Sequence, residues 1–236
     1  MDLLTIIRDR QSARVPFDPE RRVPPEHLEQ ILQAARWTPT AHNMQNFEIV
    51  VVEDRGLLEV IANLHGETSE SFVRENYALL SFSEEELKQK KVGLLGLMFP
   101  ESWRTPGVPP RLDEAHAHSI LGEPIRSSGA LLVVLYDPRR RAPASEGDVL
   151  GMMSLGCLMQ NMWLVASSLG IGFQIQSALS GPRVGSEIKQ LLGVPEPLQI
   201  GFACRIGYPL RDPSYLRVRR DVADFVHRNT YGTRTG

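Results

Sequence analysis

One long apolar segment constrains the fold of this chain more than any other feature. It runs from Val149 to Leu169, is followed by Gly170, and is rich in leucine and methionine. This pattern predicts a long α-helix that ends at the glycine. A helix that is apolar on most of its faces must be buried, either at the centre of the fold or against another subunit. Gln160 and Asn161 lie within it, and their amides are expected to bond to another helix or subunit.

The other apolar segments are short and mix irregularly with helical patterns. The short β-branched run at 47–52 predicts a buried strand, as does the apolar run at 130–136. A last strand is predicted at 199–206, and residues 173–179 are predicted to be extended. Shorter helices are predicted from Asp2 to about Arg8, from Pro25 onward, and at 57–64, 84–91 and 185–192. No strand is followed by Gly-x-Gly-x-x-Gly, so a dinucleotide-binding Rossmann domain is not supported.

Length and composition indicate an ordinary globular protein. The chain has 236 residues, of which 42% are hydrophobic and 23% are charged, enough apolar side chain for a substantial core. We expect one domain over residues 1–236, with an irregular excursion from the core at about 67–122. The formal net charge of -2 argues against a nucleic-acid partner.

Cysteine usage and the N-terminal sequence bear on the compartment. Cys157 and Cys204 both lie in apolar runs, so we expect buried, reduced thiols rather than a disulfide framework. The N-terminal residues lack the apolar stretch of a signal peptide, and the sequence contains no run of eighteen apolar residues. These features predict a soluble, cytoplasmic protein without a membrane partner.

Two arginine-rich segments are candidates for binding a phosphate. Arg10, Ser12 and Arg14 combine guanidinium groups with a hydroxyl, and these groups grip phosphate through charge-assisted hydrogen bonds. A second basic cluster spans 217–220. For either segment alone, a solvated surface with ion pairs is an equally good interpretation.

A loop at 38–45 offers a different chemistry. It is rich in small residues and contains Asn43 and Gln45, whose amides supply both donors and acceptors. A ring edge of the pyrimidine type needs this combination. The alternative is an ordinary polar connection between a helix and a strand.

Metal and hydrolase chemistry have little support in the sequence. His116 and His118 are two residues apart, so they do not share a helix face, and no zinc-type set of ligands accompanies them. We therefore expect no metal site. No Gly-x-Ser-x-Gly motif is present, which argues against a serine hydrolase with a nucleophile elbow.

Four motifs together resemble those of the FMN-dependent nitroreductase family. In chain order they are Arg10-Gln11-Ser12-x-Arg14-x-x-Phe17, Thr38-Pro39-Thr40-Ala41-x-Asn43-x-Gln45-x-Phe47, Gln160-Asn161 with Leu169-Gly170-Ile171-Gly172, and Gly207-Tyr208-Pro209 with the basic cluster and Tyr231-Gly232. The resemblance runs from end to end except at 67–122. The chain departs from the family pattern at two places. It has Ser177-Ala178 where relatives often carry Gly-Gly or Glu-Gly. Many relatives also place a lysine before the strand at 130–136, and the nearest basic residue here is Arg126.

This resemblance implies an α+β fold, with a central mixed or antiparallel sheet flanked by helices, in an intertwined homodimer with FMN at the interface. One subunit would supply Arg10, Gln11, Ser12 and Arg14, with Arg217 and Arg219, to the phosphate and ribityl chain. The other would supply Pro39, Thr40, Ala41, Asn43 and Gln45 to the ring edge. Backbone near Gln176, Ser177 and Ala178 would face the flavin N5. Arg217, Arg219 and Arg220 are all candidates for the phosphate contact.

The implied activity is a ping-pong reduction, in which FMN carries the redox chemistry. NADH or NADPH would give a hydride to the flavin, and an electron-poor acceptor such as a nitroarene, quinone, enone or flavin would then take its place. The segment 67–122 is expected to form a pocket wall or lid. The alternatives are other flavin chemistry on the same fold (dehalogenation, flavin fragmentation or azoline oxidation) and a non-catalytic flavin-binding dimer.

Overall fold

The chain divides into two compact units. A computed structural model describes residues 2–64, 83–91, 122–145, 147–213 and 217–234. The first unit comprises residues 1–67 and 112–213, and the second comprises 68–111 and 214–236.

The first unit contains most of the regular secondary structure. Its helices are α1 (Leu3–Asp9), α2 (Pro25–Arg36), α3 (Arg55–Ala62), α5 (Val149–Ser168) and α6 (Pro182–Leu191). Its strands are β1 (Glu48–Val52), β2 (Ala130–Tyr136), β3 (Gly172–Ile175) and β4 (Gln199–Gly207). Short 3₁₀ helices span Ala41–Asn43 and Ser177–Ser180.

Local signals start several of these helices. The Asp2 carboxylate accepts a hydrogen bond from the backbone N–H of Thr5 at 3.1 Å, as a helix N-cap does. Asp54 caps α3 in the same way, through the N–H of Leu57 at 2.8 Å. Helix α6 begins at Pro182, one turn before the predicted start at residue 185, because proline at the first position is compatible with a helix.

The four strands form one antiparallel sheet in the order β1-β2-β4-β3. Strand β2 lies inside the sheet, and its residues from Ala130 to Leu135 are all buried. A strand that is covered on both faces has a continuous apolar sequence, and this pattern predicted the strand at 130–136. Strand β3 lies at an edge and ends at Ile175, so the predicted extension to residue 179 is wrong beyond that point. The chain turns there into the 3₁₀ helix.

A helical layer covers each face of the sheet. Helices α2 and α5 pack on one face, with Ile31, Leu158 and Met162 fully buried against alternate residues of β2 and β4. Helices α3 and α6 cover the other, where Leu58 and Ile188 are buried. The Asn161 amide of α5 donates to the carbonyl of Ala34 in α2 at 3.4 Å, which confirms the predicted bond to another helix for Asn161, and to Thr38 Oγ1 at 3.2 Å.

Helix α5 is only partly covered by its own chain. Among the described residues it alone has the length and apolar composition to cross a membrane, and 28% of that window is buried. Val149 and Met153 are exposed, and so is Cys157, whereas Cys204 is buried in β4. The expectation that both thiols are buried is therefore wrong for Cys157 in the single chain.

The second unit is described at residues 83–91 and 217–234. Helix α4 (Glu84–Lys90) begins with a capping box in which Ser83 and Glu86 bond to each other's backbone. A 3₁₀ helix spans Val222–Asp224. The Lys91 ammonium forms an ion pair with Asp224 and a second one with Asp221, which joins the two parts of this unit.

Candidate functional site

The predicted phosphate-binding residues lie on an extended stretch that begins where α1 ends. Residues 10–17, called here the anchored segment, are held to the body of the first unit at several points. The guanidinium of Arg10 lies 4.2 Å from the centre of the Trp163 ring, and the indole Nε1 of Trp163 donates to the carbonyl of Gln11 at 3.3 Å. Trp163 also stacks on Phe173 of β3, with 5.2 Å between ring centres. Helix α5 and strand β3 thus position the start of the segment.

The middle of the anchored segment runs beside the edge strand. The N–H of Ala13 donates to the carbonyl of Phe173 at 3.0 Å, so the segment pairs with part of the exposed edge of β3. Ser12 is 6% exposed and Arg14 is half-buried. Arg10, Ser12 and Arg14 therefore lie on one stretch of backbone that is held to the body of the first unit.

Sequence reasoning missed a buried arginine next to this segment. Arg205 of β4 is 1% exposed, and its Nη2 donates to the carbonyl oxygens of Ala13 at 3.1 Å and Val15 at 2.7 Å. Burial lowers the pKa of Arg205 to about 9, which leaves the guanidinium charged at neutral pH. A charged residue inside the otherwise apolar run at 199–206 was the available sequence signal.

The loop at 38–45, called here the amide loop, is anchored on the N-terminal half of helix α5. The N–H of Ala41 donates to Ser154 Oγ at 3.2 Å, and the N–H of Gln45 donates to Thr40 Oγ1 at 3.1 Å. Asn43 and Gln45 both have positive φ, at 52° and 46°, a conformation that non-glycine residues adopt rarely and at some cost. The side chains of Asn43 and Gln45 are exposed, and Gln45 Nε2 donates to Asn43 Oδ1 at 3.3 Å. Pro39 precedes this turn and is exposed.

Within one chain the anchored segment and the amide loop contact different points of α5. Trp163 holds the first and Ser154 holds the second. These two residues are nine positions apart, which corresponds to about 14 Å along a helix. The two predicted groups are thus separate patches on a single helix.

The third predicted group follows strand β3. Gln176 is 4% exposed, and its backbone N–H donates to the carbonyl of Ala203 at 2.8 Å. Ser177 and Ala178 are exposed in the 3₁₀ helix that follows. The Nε2 atom of Gln176 is buried and has no hydrogen-bond partner within the described residues. A buried amide donor of this kind normally has an acceptor, so this atom points to a bound group.

The remaining predicted residues belong to the second unit or lie outside the described residues. Arg217, Arg219 and Arg220 are exposed and belong to the second unit, where Arg219 Nη1 donates to the carbonyl of Val218 at 2.7 Å. His116 and His118 lie outside the described residues, as does most of the predicted wall or lid at 67–122.

Arg126 has surface partners of its own. Its guanidinium pairs with Glu59 at 3.0 Å and with Glu123 at 3.0 Å. These contacts raise the pKa of Arg126, chiefly through the hydrogen bond to Glu59, and lower that of Glu59. Arg126 therefore belongs to an ion-pair network on the surface of the first unit.

Comparison with known proteins identifies the class to which this fold and these motifs belong. The sequence model of the nitroreductase family matches residues 7–208. A relative from Archaeoglobus fulgidus, provisionally named NADH dehydrogenase/NAD(P)H nitroreductase, is 23% identical over 231 residues, which cover 98% of this chain and 99% of the relative. An NADPH-flavin oxidoreductase from Vibrio harveyi is 28% identical over 115 residues, 45% of this chain and 47% of that protein.

Solved structures share the fold. A nitroreductase family protein from Clostridium novyi NT superposes with a TM-score of 0.61 at 18% identity, covering 99% of this chain and 97% of that one. A nitroreductase with bound FMN from Bacteroides fragilis NCTC 9343 gives a TM-score of 0.55 at 19% identity, covering 96% of this chain and 97% of that one.

The chain belongs to the nitroreductase family. The family resemblance and the α+β fold class predicted from sequence are both confirmed, with an antiparallel sheet flanked by helices.

The described residues fit a phosphorylated flavin. Arginine and serine side chains on a fixed backbone suit the dianionic phosphate, and exposed amides suit a ring edge rich in donors and acceptors. The buried, unsatisfied Nε2 of Gln176 supplies a donor for which the described protein offers no acceptor.

Proposed function

We propose that this protein is an FMN-dependent oxidoreductase that takes reducing equivalents from NADH or NADPH and transfers them to an electron-poor organic acceptor by a ping-pong mechanism. The observation that carries the proposal is the anchored segment, in which Arg10, Ser12 and Arg14 stand on a backbone held by Trp163, Phe173 and Arg205. Family membership and the names of the relatives support the same activity.

The protein's own residues bind and orient the cofactor. Arg10, Ser12 and Arg14 would hold the phosphate, with Gln11 beside the ribityl chain. Arg217 and Arg219 stay candidates for the phosphate on the sequence pattern alone. FMN, when bound, supplies the hydride-accepting and hydride-donating atom, so no side chain is required as a fixed acid or base.

The polar groups near the ring tune its electronic state. The amide of Asn43 would stabilise negative charge on the ring's pyrimidine edge. Pro39, Thr40, Ala41 and Gln45 would shape the loop that presents Asn43, through the turn that the Thr40 hydroxyl holds. Gln176, Ser177 and Ala178 would lie against the reacting edge, with backbone N–H groups as donors.

We propose that the protein is a homodimer in which the partner subunit supplies the amide loop. The supporting observation is an apolar surface on helices α1 and α5 that the single chain leaves exposed. Leu3 is 63% exposed, Val149 64% and Met153 62%, and the two helices contact each other. Exposed apolar surface of this kind marks an interaction site, and a second copy of the same helices would cover it.

A charge placed on this surface tests the dimer. We expect Met153→Glu to give a monomer with weakened FMN binding, because burying an unpaired carboxylate at an interface is unfavourable. Light scattering after gel filtration measures the mass. Val60→Glu is the matched control, since Val60 is 47% exposed on α3, on the opposite face of the sheet. A wild-type protein that is monomeric at micromolar concentration would contradict the proposal.

An absorbance spectrum tests the activity. The purified protein, supplemented with FMN if needed, should show an oxidised flavin band that bleaches on anaerobic addition of NADH or NADPH. Reoxidation by a quinone or a nitroarene should restore the band. A flavin band that stays oxidised with both nucleotides would overturn the proposed electron donor, and a protein that refuses FMN would overturn the cofactor.

A further inference from the structure

The buried guanidinium of Arg205 is one of the few charged groups inside the first unit. It is 1% exposed, and its aliphatic and aromatic neighbours include the Phe17 ring, whose centre lies 3.9 Å from the guanidinium carbon. Its hydrogen-bond acceptors within the described residues are uncharged oxygens: Gln174 Oε1 at 2.7 Å, Pro124 O at 2.9 Å, Ser127 Oγ at 3.3 Å, Ala13 O at 3.1 Å and Val15 O at 2.7 Å.

A buried charge without an acidic partner is unfavourable unless polar groups satisfy it. Packing of a sheet and two helices does not require one, since a Leu or Met side chain would fill similar space. Arg205 therefore points to a task that an apolar residue cannot perform. The geometry of its contacts indicates which task, because two of its acceptors lie on the anchored segment.

The fork of Arg205 grips the anchored segment on both sides of Arg14. One nitrogen, Nη2, bonds to the carbonyls of Ala13 and Val15, the residues that flank Arg14 in sequence. The other nitrogens bond to β3 through Gln174 and to residues 124–127. Arg205 thus fixes the carbonyl groups of the residues before and after Arg14 to the sheet.

Phe17 completes the anchor at the far end of the segment. Its ring is fully buried against Gly172 and Gly207, where a Cβ would approach ring atoms to 2.7 Å in both cases. The N–H of Phe17 donates to Ser127 Oγ, which also accepts from Arg205. The glycines leave room for the ring, and the guanidinium of Arg205 lies over it.

We propose that Arg205 is a positioning residue for the cofactor phosphate: it holds the backbone of Ala13 and Val15 so that Arg14, Ser12 and Arg10 converge on that phosphate. This inference rests on the proposed function. The positive charge of Arg205 lies next to the anchored segment and adds to the electrostatic field that attracts a dianion. Preorganised groups of this kind raise affinity because less conformational entropy is lost on binding.

A comparison of FMN with riboflavin tests the proposal, because riboflavin has the same ring and ribityl chain but no phosphate. In Arg205→Met the fork is lost and the volume is roughly kept. We expect FMN affinity to fall about tenfold or more, the effect of losing aligned charge-assisted contacts. Riboflavin affinity should change by less than about threefold. Quenching of flavin fluorescence in titrations with apoprotein gives both dissociation constants.

Arg205→Lys serves as the milder variant and addresses folding. Lysine keeps the charge but lacks a planar fork, so it cannot hold both carbonyl oxygens in the same geometry. It should fold and still show a reduced preference for FMN over riboflavin. Far-UV circular dichroism and thermal unfolding of each apoprotein establish that the comparison is made on folded chains.

Arg55 provides a matched control. It too donates to backbone carbonyls, of Pro19, Arg126 and Ser128, and none of these hydrogen bonds within the described residues is to the anchored segment. Arg55→Met should lower the unfolding temperature and leave the FMN-to-riboflavin affinity ratio unchanged.

The outcomes are distinguishable. A selective loss of FMN affinity in Arg205→Met and Arg205→Lys, absent in Arg55→Met, supports the proposal. An unchanged ratio in both Arg205 variants, or an equal loss for both flavins, overturns it and leaves Arg205 a structural residue. A wild-type protein that binds neither flavin overturns the proposed function itself.

Discussion

The two arginine-rich segments have similar sequences and very different surroundings. In the anchored segment, backbone groups at residues 11, 13, 15 and 17 bond to Trp163, Phe173, Arg205 and Ser127 of the first unit. In the cluster at 217–220 the arginines are exposed, and Arg219 bonds to the carbonyl of its own neighbour. The backbone that carries the first set of arginines is thus held by long-range contacts, whereas the arginines of the second set are exposed.

This difference determines what each segment can contribute to binding. A guanidinium on a fixed backbone meets a phosphate with little further ordering, whereas an exposed guanidinium loses more side-chain entropy when it binds. We therefore expect the anchored segment to contribute most of the phosphate affinity and the exposed cluster to add a smaller increment.

Paired substitutions should show the largest difference between the two segments in their contribution to FMN affinity. Arg10→Ala with Arg14→Ala removes two preorganised cations and should weaken FMN binding about 100-fold or more. Arg217→Ala with Arg219→Ala should weaken it about tenfold. Fluorescence titration measures both, with riboflavin as the phosphate-free control. A larger loss in the second pair would reverse the comparison and contradict our interpretation.

An intermediate loss of FMN affinity is expected when one hydrogen bond that holds the anchored segment is removed. Trp163→Phe keeps an aromatic ring for Arg10 and Phe173 but removes the hydrogen bond to the Gln11 carbonyl. One such bond is worth about 1 kcal/mol, so chemical denaturation should show a loss of that size and FMN affinity should fall about fivefold. Unchanged FMN affinity together with lowered stability would show that this anchor serves the fold alone.

The smallest effect is expected at the ion pairs that follow the exposed cluster in sequence. Lys91 pairs with Asp221 and Asp224, immediately after the cluster. The hydrogen bond from Lys91 lowers the pKa of Asp224 below its ordinary value of 3.8. In Lys91→Met this pKa should rise toward the ordinary value, as NMR titration of the carboxyl carbon would show.

The sign of the pH dependence follows from that shift. A carboxyl whose pKa is lower in the folded state stabilises the protein above its unfolded pKa, and this contribution is lost as the pH falls through the folded pKa. The wild type should therefore lose stability on acidification below about pH 4 more steeply than Lys91→Met. Identical acid profiles would show that the ion pair does not contribute to folding.

Local sequence signals predicted most of the secondary structure. Strand β2 lies at 130–136 as predicted, and the long helix ends one residue before the predicted Leu169. These elements follow from periodicity and caps, which depend on neighbouring residues only. The family motifs and the candidate residues at 10–14 and 39–45 could also be identified without coordinates, because they are contiguous in sequence.

What the tertiary structure decided is the environment of each side chain. The sequence placed Cys157 and Cys204 in equivalent apolar runs, yet one is exposed on α5 and the other is buried in β4. The same holds for the basic residues, since Arg205 and Arg219 are identical in residue type. Arg205 is buried beside residues 13–15 because β4 packs between β2 and β3. Secondary structure and motifs depend on short-range pattern, whereas burial, charge environment and preorganisation depend on which distant segments the fold brings together.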